Sequence, residues 1–366
     1  MVDPIRAADF NARQLHWALR IGDPYRIARA LALEGGFTVL VPVGVGRSPQ
    51  ELYRRAEALA GSGGQHYIRA LTSLWAGIAA FLTGRWAETT DYCGRAVTLL
   101  RDRCTGVTWE LNLAQNFFLF SLLYRGELRE AAVLWRGLLR SARERGNFYL
   151  EIELSTRLSL ILLAADQPLE AEREADEAVA RWSQRGFQRP HYLQLLTRVQ
   201  VRLYLGRASE AWDLLERHEK ELARPLFRRV QHTRVEIANW RARCSLAVAV
   251  RGSDAPRLHA IAIKQAKRIA RERMPWATPF VALIRATVAA QQGDTAAAVE
   301  GLTAALDGFT SVGMHMHAAA CKARLSRLTG GAQESMLQAE ADAFMAAQDV
   351  RNTDAFLRVL APGFPD

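Results

Sequence analysis

The stretch Gly126-Glu127-Leu128-Arg129-Glu130-Ala131 lies between two amphipathic runs, and its reading decides the fold. Before it, Leu111, Ala114, Phe118, Leu122 and Tyr124 recur at spacings near three and four; after it, Leu134, Leu138, Leu139 and Ala142 do the same. That period belongs to a helix with one apolar face. Glycine at the junction can enter the left-handed conformation that ends a helix without a Cβ clash. Glu130 puts negative charge into the first turn of the next helix, where the macrodipole favours it. Ala131 is small enough to let the two helices approach closely.

The same signal recurs along the chain. It appears as Gly22-Asp23-Pro24, Gly84-Arg85-Trp86-Ala87-Glu88, Asp166-Gln167-Pro168-Leu169-Glu170-Ala171, Gly206-Arg207-Ala208-Ser209-Glu210-Ala211, Gly252-Ser253-Asp254-Ala255-Pro256 and Gly293-Asp294-Thr295-Ala296-Ala297-Ala298. After one long first interval the spacing settles near 40 residues. Further breaks fall between these units, at Arg145-Gly146-Asn147, Arg185-Gly186-Phe187, Arg273-Met274-Pro275 and Val312-Gly313, and strand-like alternation is nearly absent. The expectation is an all-α array of antiparallel helix pairs, each pair packing mainly on its neighbours. Residues 1–60 read as an N-terminal helical unit with a loop insertion, 61–330 as the repeat array, and 331–366 as C-terminal capping helices and tail. Trp75, Trp109, Trp240 and Trp276 on first helices, and Trp135, Trp182 and Trp212 on second helices, read as packing residues.

The turn resembles that of tetratricopeptide repeats, in which a short glycine-containing turn joins two antiparallel helices. The units here are longer than the 34-residue repeat. The resemblance implies a tetratricopeptide-like α-solenoid, a superhelix of six or seven helix pairs.

Composition bounds the function classes. The chain has 366 residues, 49% of them hydrophobic and 23% charged, which excludes wholesale disorder. Four cysteines with no close pair argue against a disulfide framework and for a reducing compartment. Met1-Val2-Asp3-Pro4 does not open a secretory signal. The most apolar run, Ile152–Ala165, is interrupted by Glu153, Ser155, Thr156, Arg157 and Ser159 and falls short of the ~18 residues of a membrane span. The chain reads as soluble and cytoplasmic. Its 44 Arg against 4 Lys reflect a GC-rich genome more simply than a partner.

No catalytic constellation emerges. Phe37–Ser48 leads an apolar run into Gly44, Gly46, Arg47 and Ser48, but a phosphate-binding loop needs glycine where Val41 stands, and lysine in place of Arg47. It reads as a linker between helices. The His-Arg-Asp, Asp-Phe-Gly and glycine-rich signatures of protein kinases are missing. His317 and Cys321 have the i, i+4 spacing of a metal clasp, without a convincing third ligand. Cys93, Cys104 and Cys244 read as small buried residues. The reading is a non-enzyme with no cofactor and no metal.

Charge is informative by position. The net +10 resides entirely in residues 224–273, which hold 13 basic residues against Glu236, Asp254 and Glu272. Within that hairpin, Lys264, Lys267, Arg268 and Arg271 follow i, i+3, i+4, i+7 and share one helix face, while Leu258, Ile261, Ala262 and Ile269 share another. The default reading is a solvated basic face. Sharper readings are a docking surface for an acidic protein segment or, with strong salt dependence, for nucleic acid, although no nucleic-acid recognition motif accompanies it.

Several phrases resemble the C-terminal region of large bacterial serine/threonine kinases, in which the kinase precedes an ATPase module and tetratricopeptide-like repeats. They include Ala8-Asp9-Phe10, Gly22-Asp23-Pro24-Tyr25-Arg26-Ile27-Ala28-Arg29-Ala30-Leu31-Ala32 and Arg103-Cys104-Thr105-Gly106-Val107-Thr108-Trp109-Glu110. Further along are Ala180-Arg181-Trp182-Ser183, Arg234-Val235-Glu236, Met274-Pro275-Trp276 and Ala361-Pro362-Gly363-Phe364. The resemblance implies a non-catalytic sensor or scaffold whose superhelical groove binds a protein or peptide, kinase or ATPase modules among the partners. No family catalytic residue transfers to this chain. A nucleic-acid-associated regulator using the 224–273 hairpin is the alternative.

Overall fold

Six of the seven turn signals end a helix with a residue in the left-handed region: Gly22 (φ 77°), Gly84 (78°), Gly126 (85°), Asp166 (58°), Gly206 (73°) and Gly293 (80°). The seventh, at Gly252, lies outside the described residues, which are 4–38, 48–157, 159–250 and 254–364 of the computed structural model. Four of these turns also share a closing hydrogen bond from the residue after the left-handed one back into the helix. Arg85 N donates to Ala80 O at 2.9 Å, Gln167 N to Leu162 O at 2.8 Å, Arg207 N to Arg202 O at 2.8 Å and Asp294 N to Ala289 O at 3.0 Å. This is the Schellman pattern that satisfies the last carbonyls of a helix. At Asp166 a residue with a Cβ occupies the position; its short side chain tolerates the conformation and is held there by the Tyr204 hydroxyl, which donates to Oδ1 at 2.6 Å. The breaks between pairs use the same device at Gly146, Gly186, Arg273 and Gly313.

Among the described residues the structure is helical and contains no strand. The chain divides into two compact units, Met1–Leu122 and Leu123–Asp366. Unit 1 contains α1 (Pro4–Ile21), α2 (Pro24–Phe37), α3 (Pro49–Leu59), α4 (Gly61–Leu82), α5 (Trp86–Arg103) and most of α6 (Thr108–Arg125). Its core gathers Leu31, Phe37, Leu52, Ile68, Leu71, Leu74, Trp75 and Leu100. The Phe37–Ser48 linker falls at residues 39–47 outside the described residues. On α1, Phe10, Trp17 and Ile21 are all more than half exposed.

Unit 2 continues with α7 (Leu128–Glu144), α8 (Phe148–Arg157), α9 (Ser159–Ala164), α10 (Pro168–Ala180), α11 (Arg189–Tyr204), α12 (Ala208–Arg217), α13 (Glu219–Leu222) and α14 (Pro225–Arg228). It ends with α15 (Gln231–Ala249), α16 (Ala255–Arg271), α17 (Thr278–Gln291), α18 (Thr295–Ser311), α19 (His315–Ser326), α20 (Gly331–Ala347) and α21 (Thr353–Leu360). Consecutive helices pack as adjacent pairs, α15 on α16 and α17 on α18 most extensively.

Some contacts in unit 2 reach beyond neighbouring helices. A Cβ on Gly126 would stand 2.6 Å from Met316 Cβ and 2.7 Å from its backbone nitrogen, so the turn after α6 and the start of α19 touch. Arg351 N donates to Ala164 O at 2.9 Å, and the Arg358 guanidinium donates to Tyr204 O at 3.1 and 2.9 Å. These closures bring the last helices back onto the first helices of earlier pairs. Sequence periodicity cannot show them, because they join single residues at turns rather than repeated faces.

The tryptophans divide. Trp75, Trp135, Trp212, Trp240 and Trp276 are buried, as is Trp86. Trp109 is 60% exposed and is not a packing residue, because it sits on the outward side of the first turn of α6. Trp276 lies in a short 3-10 turn, Pro275–Ala277, that precedes α17. Trp182 comes just after α10, stacks on Phe148 and donates from its indole to Gln188 at 2.9 Å.

Candidate functional site

All four residues of the basic stripe, Lys264, Lys267, Arg268 and Arg271, lie on α16 with exposed side chains. Their heptad-like spacing and the 3.6-residue turn put them on one face. The opposite face buries Leu258, Ala262, Ala266 and Ile269, which fixes which way the cations point. Among the described residues none of the four has a carboxylate within ion-pair distance; Arg268 donates to the neighbouring Gln265 side chain at 3.2 Å. Arg268 and Arg271 sit in the last turn, where they complement the helix macrodipole. Lys264 and Lys267 stand before that turn, so the dipole does not account for them.

Of the other nine cations in residues 224–273, four are engaged elsewhere. Arg234 forms a two-pronged pair with Glu272, at 2.7 and 2.6 Å, and also donates to Arg228 O. Arg241 pairs with Glu216 at 2.6 Å and lies over the Trp212 ring. Arg257 pairs with Asp254. Arg243 is buried between the Trp240 and Phe280 rings, 4.8 and 5.6 Å from their centroids. Burial pushes its guanidinium down to about 10, so it remains a cation at neutral pH. The basic block of the sequence therefore divides into engaged cations, Arg234, Arg241, Arg243 and Arg257, and exposed ones, the α16 stripe together with Arg224, Arg228, Arg229 and Arg273.

Arg243 has a structural duty on the face where the first helices of unit 2 converge. Its Nη2 donates to Leu360 O. Arg324 Nε of α19 donates to Ala361 O at 3.1 Å and lies over the Phe364 ring. Gln291 of α17 donates to both Gly363 O and Leu246 O. Four first helices, α11, α15, α17 and α19, thus hold α21 and the residues after it. Phe356, Leu357, Val359 and Leu360 are at most 2% exposed there. At roughly 1.5–3 kcal/mol for each large apolar side chain, displacing this segment costs as much as a micromolar ligand supplies, about 8 kcal/mol. The chain's own C-terminal segment thus covers this face of the first helices.

A second polar group lies on the same first helices. His232 of α15 stacks on Trp276 with centroids 4.9 Å apart, and its Nε2 meets the Tyr124 hydroxyl at 2.7 Å. Burial, with the Arg157 and Arg189 cations adding, pushes His232 down to about 3. Burial raises the Tyr124 phenol. Glu153 of α8 is buried and accepts two hydrogen bonds from Arg189, at 2.9 and 3.3 Å. Burial pushes the Glu153 carboxyl up, but Arg189 overrides it and holds the group below its ordinary range. Tyr192 donates to Glu236 at 2.7 Å. With the histidine held neutral and the phenols held protonated, these contacts tie α6, α8, α11 and α15 together. Sequence reasoning missed it, though its signal was present: Glu153 and Arg157 interrupt the most apolar run of the chain.

His317 is half-buried against Phe309 and Phe280, and desolvation followed by the Arg243 cation holds it well below its usual range. Cys321 is buried close by, its thiol pushed up to about 12. Among the described residues no group of three or more His, Cys, Asp or Glu side chains is placed to hold a metal ion. Cys104 is half-buried rather than buried. No described helix is long and apolar enough to cross a membrane.

No family model matches the chain, and no curated protein matches it.

Proposed function

We propose that the chain is a non-catalytic protein-binding module, a tetratricopeptide-like α-solenoid acting in kinase-linked bacterial signalling in the cytoplasm, with α16 as its docking face. The observation that carries this reading is the row of four exposed cations on α16 without counter-charges. The repeated left-handed turns and adjacent helix pairs support the repeat architecture. The kinase link is supported by the phrases that resemble kinase C-terminal regions. The covered face of the first helices moves the expected contact from a groove to the outer helices, where the partner meets a rigid surface rather than a cleft.

The test is photo-crosslinking in the native cell. A crosslinking residue is placed in turn at Val133, Leu169 and Lys267, all exposed and in separate helices. Recovery of a discrete protein partner is the expected result. Nucleic acid alone, or no adduct at any position, overturns the reading. So does ATP hydrolysis or phosphotransfer by the purified chain.

A further inference from the structure

We infer that the partner of α16 is an acidic, amphipathic protein segment, anchored by an apolar end beside the first turns of the helix and by carboxylates along the last. This inference rests on the protein-binding reading above and adds the chemistry of the partner.

Two lanes run side by side on the solvent face of α16. One holds Lys264, Lys267, Arg268 and Arg271. The other is a shallow, mostly apolar depression formed by Pro256, Ala260 and Ile263 of α16 with Val288 of α17, with His259 and Gln292 also in its lining. At 100° per residue the lanes lie about 60° apart around the helix. From Pro256 to Arg271 the surface runs about 22 Å, at 1.5 Å per residue. About seven extended residues or four helical turns would cover it.

The charge on this surface has no internal answer. Neither α16 nor α17 contains an aspartate or glutamate. The two carboxylates that flank α16 are engaged: Asp254 with Arg257 at one end, and Glu272 with Arg234 at the other. Neighbouring carboxylates are thus withheld from the stripe, and a partner's carboxylates would meet four cations whose charge is not already offset. A polynucleotide fits less well. Phe280 is buried, and His259, at the edge of the depression, is 9% exposed with its Nε2 bonded to Gln291, so neither offers a base a broad stacking platform. The apolar lane has no counterpart in a sugar–phosphate backbone.

The experiment uses the full chain and fluorescence anisotropy. The probes are two dye-labelled fifteen-residue peptides with three leucines at one end and five glutamates towards the other, made in both orders. A peptide with glutamine for glutamate and a fifteen-nucleotide single-stranded DNA are the comparators. At least one acidic peptide should bind. The Lys264→Glu, Lys267→Glu, Arg268→Glu, Arg271→Glu combination should weaken it about tenfold or more, from four surface ion pairs. Binding should also fall as salt rises, and Ala260→Glu should weaken it severalfold by charging the apolar lane. Lys264→Gln with Lys267→Gln, which adds no acid near the helix end, guards against a folding artefact and should weaken binding in the same direction. The proposal is overturned if neither acidic peptide binds, if the glutamine peptide or the oligonucleotide binds as tightly, or if both stripe variants leave binding unchanged. A protein adduct at Val133 or Leu169 alongside such a failure would leave the module reading standing and remove α16 from it.

Discussion

The inner and outer faces of unit 2 use arginine in opposite ways. Inside, Arg243 and Arg324 are nearly inaccessible and donate to the carbonyls of Leu360 and Ala361. Outside, Arg268 and Arg271 stand with Lys264 and Lys267 in solvent. A buried guanidinium must be satisfied or it costs several kcal/mol, so each inner arginine is tied to a main-chain acceptor that only the C-terminal segment supplies. A solvated cation carries no such demand and adds little to stability. The inner arginines are therefore needed by the fold, and the solvated stripe cations contribute little to it.

The contrast can be attacked at four points. The largest effect is expected at Phe356, which is fully buried where α21 meets the first helices. Phe356→Ala should destabilise the chain by about 3–5 kcal/mol, read as a lower urea midpoint. An effect below about 1 kcal/mol would mean that α21 is loosely held.

Acid should act next. His232 is neutral in the native state, with burial first and Arg157 and Arg189 second driving it to about 3, whereas the unfolded chain takes up a proton near 6.5. Between those values the unfolded state binds more protons, so stability is full above about pH 6.5 and falls as pH drops towards 3. The loss is on the order of 4 kcal/mol over that window. His232→Phe should keep the ring stacking on Trp276 and flatten part of the slope in urea melts at several pH values. His317, depressed likewise, and the Glu153 carboxyl, held low by Arg189, contribute to the slope that is left.

Two glycines separate conformational strain from close contact. Gly293 has φ +80° and open space where a methyl would stand, while Gly126 has φ +85° and the Met316 backbone against it. Gly293→Ala should cost about 1–2 kcal/mol, the left-handed penalty alone. Gly126→Ala should exceed it by about 1–3 kcal/mol, from overpacking. Equal losses in thermal melts would dissolve the closure between the α6 turn and α19.

The smallest effect belongs to the outer face. Lys264→Gln with Lys267→Gln should move stability by no more than about 0.5 kcal/mol. A larger loss in denaturant titration would give the stripe a folding role and erase the contrast.

Much of the fold was legible because helices and turns are local. Gly84, Gly126, Gly206 and Gly293 announce themselves by the acidic and small residues just after them, and even Asp166 stands where a glycine would. The stripe was legible for the same reason, since i, i+3, i+4, i+7 defines a face without knowledge of its neighbours. Pairing across distance could not be read. Nothing near Arg243 in sequence says that it meets Leu360 while Arg234 meets Glu272; counted as charges, the two are alike. The Tyr124–His232 contact spans 108 residues and depends on how first helices converge. Trp109 failed for a related reason, since a position in a helix does not state which side faces the core.

The C-terminal carbonyls also set an order of events during synthesis. Arg243 is made 117 residues before Leu360, a delay of about 6–23 s at roughly 5–20 residues per second. Throughout that interval the nascent first helices carry apolar faces and guanidinium groups whose acceptors have not yet been translated. Unit 2 cannot complete its interior vectorially, and its final packing waits on the residues around Phe364.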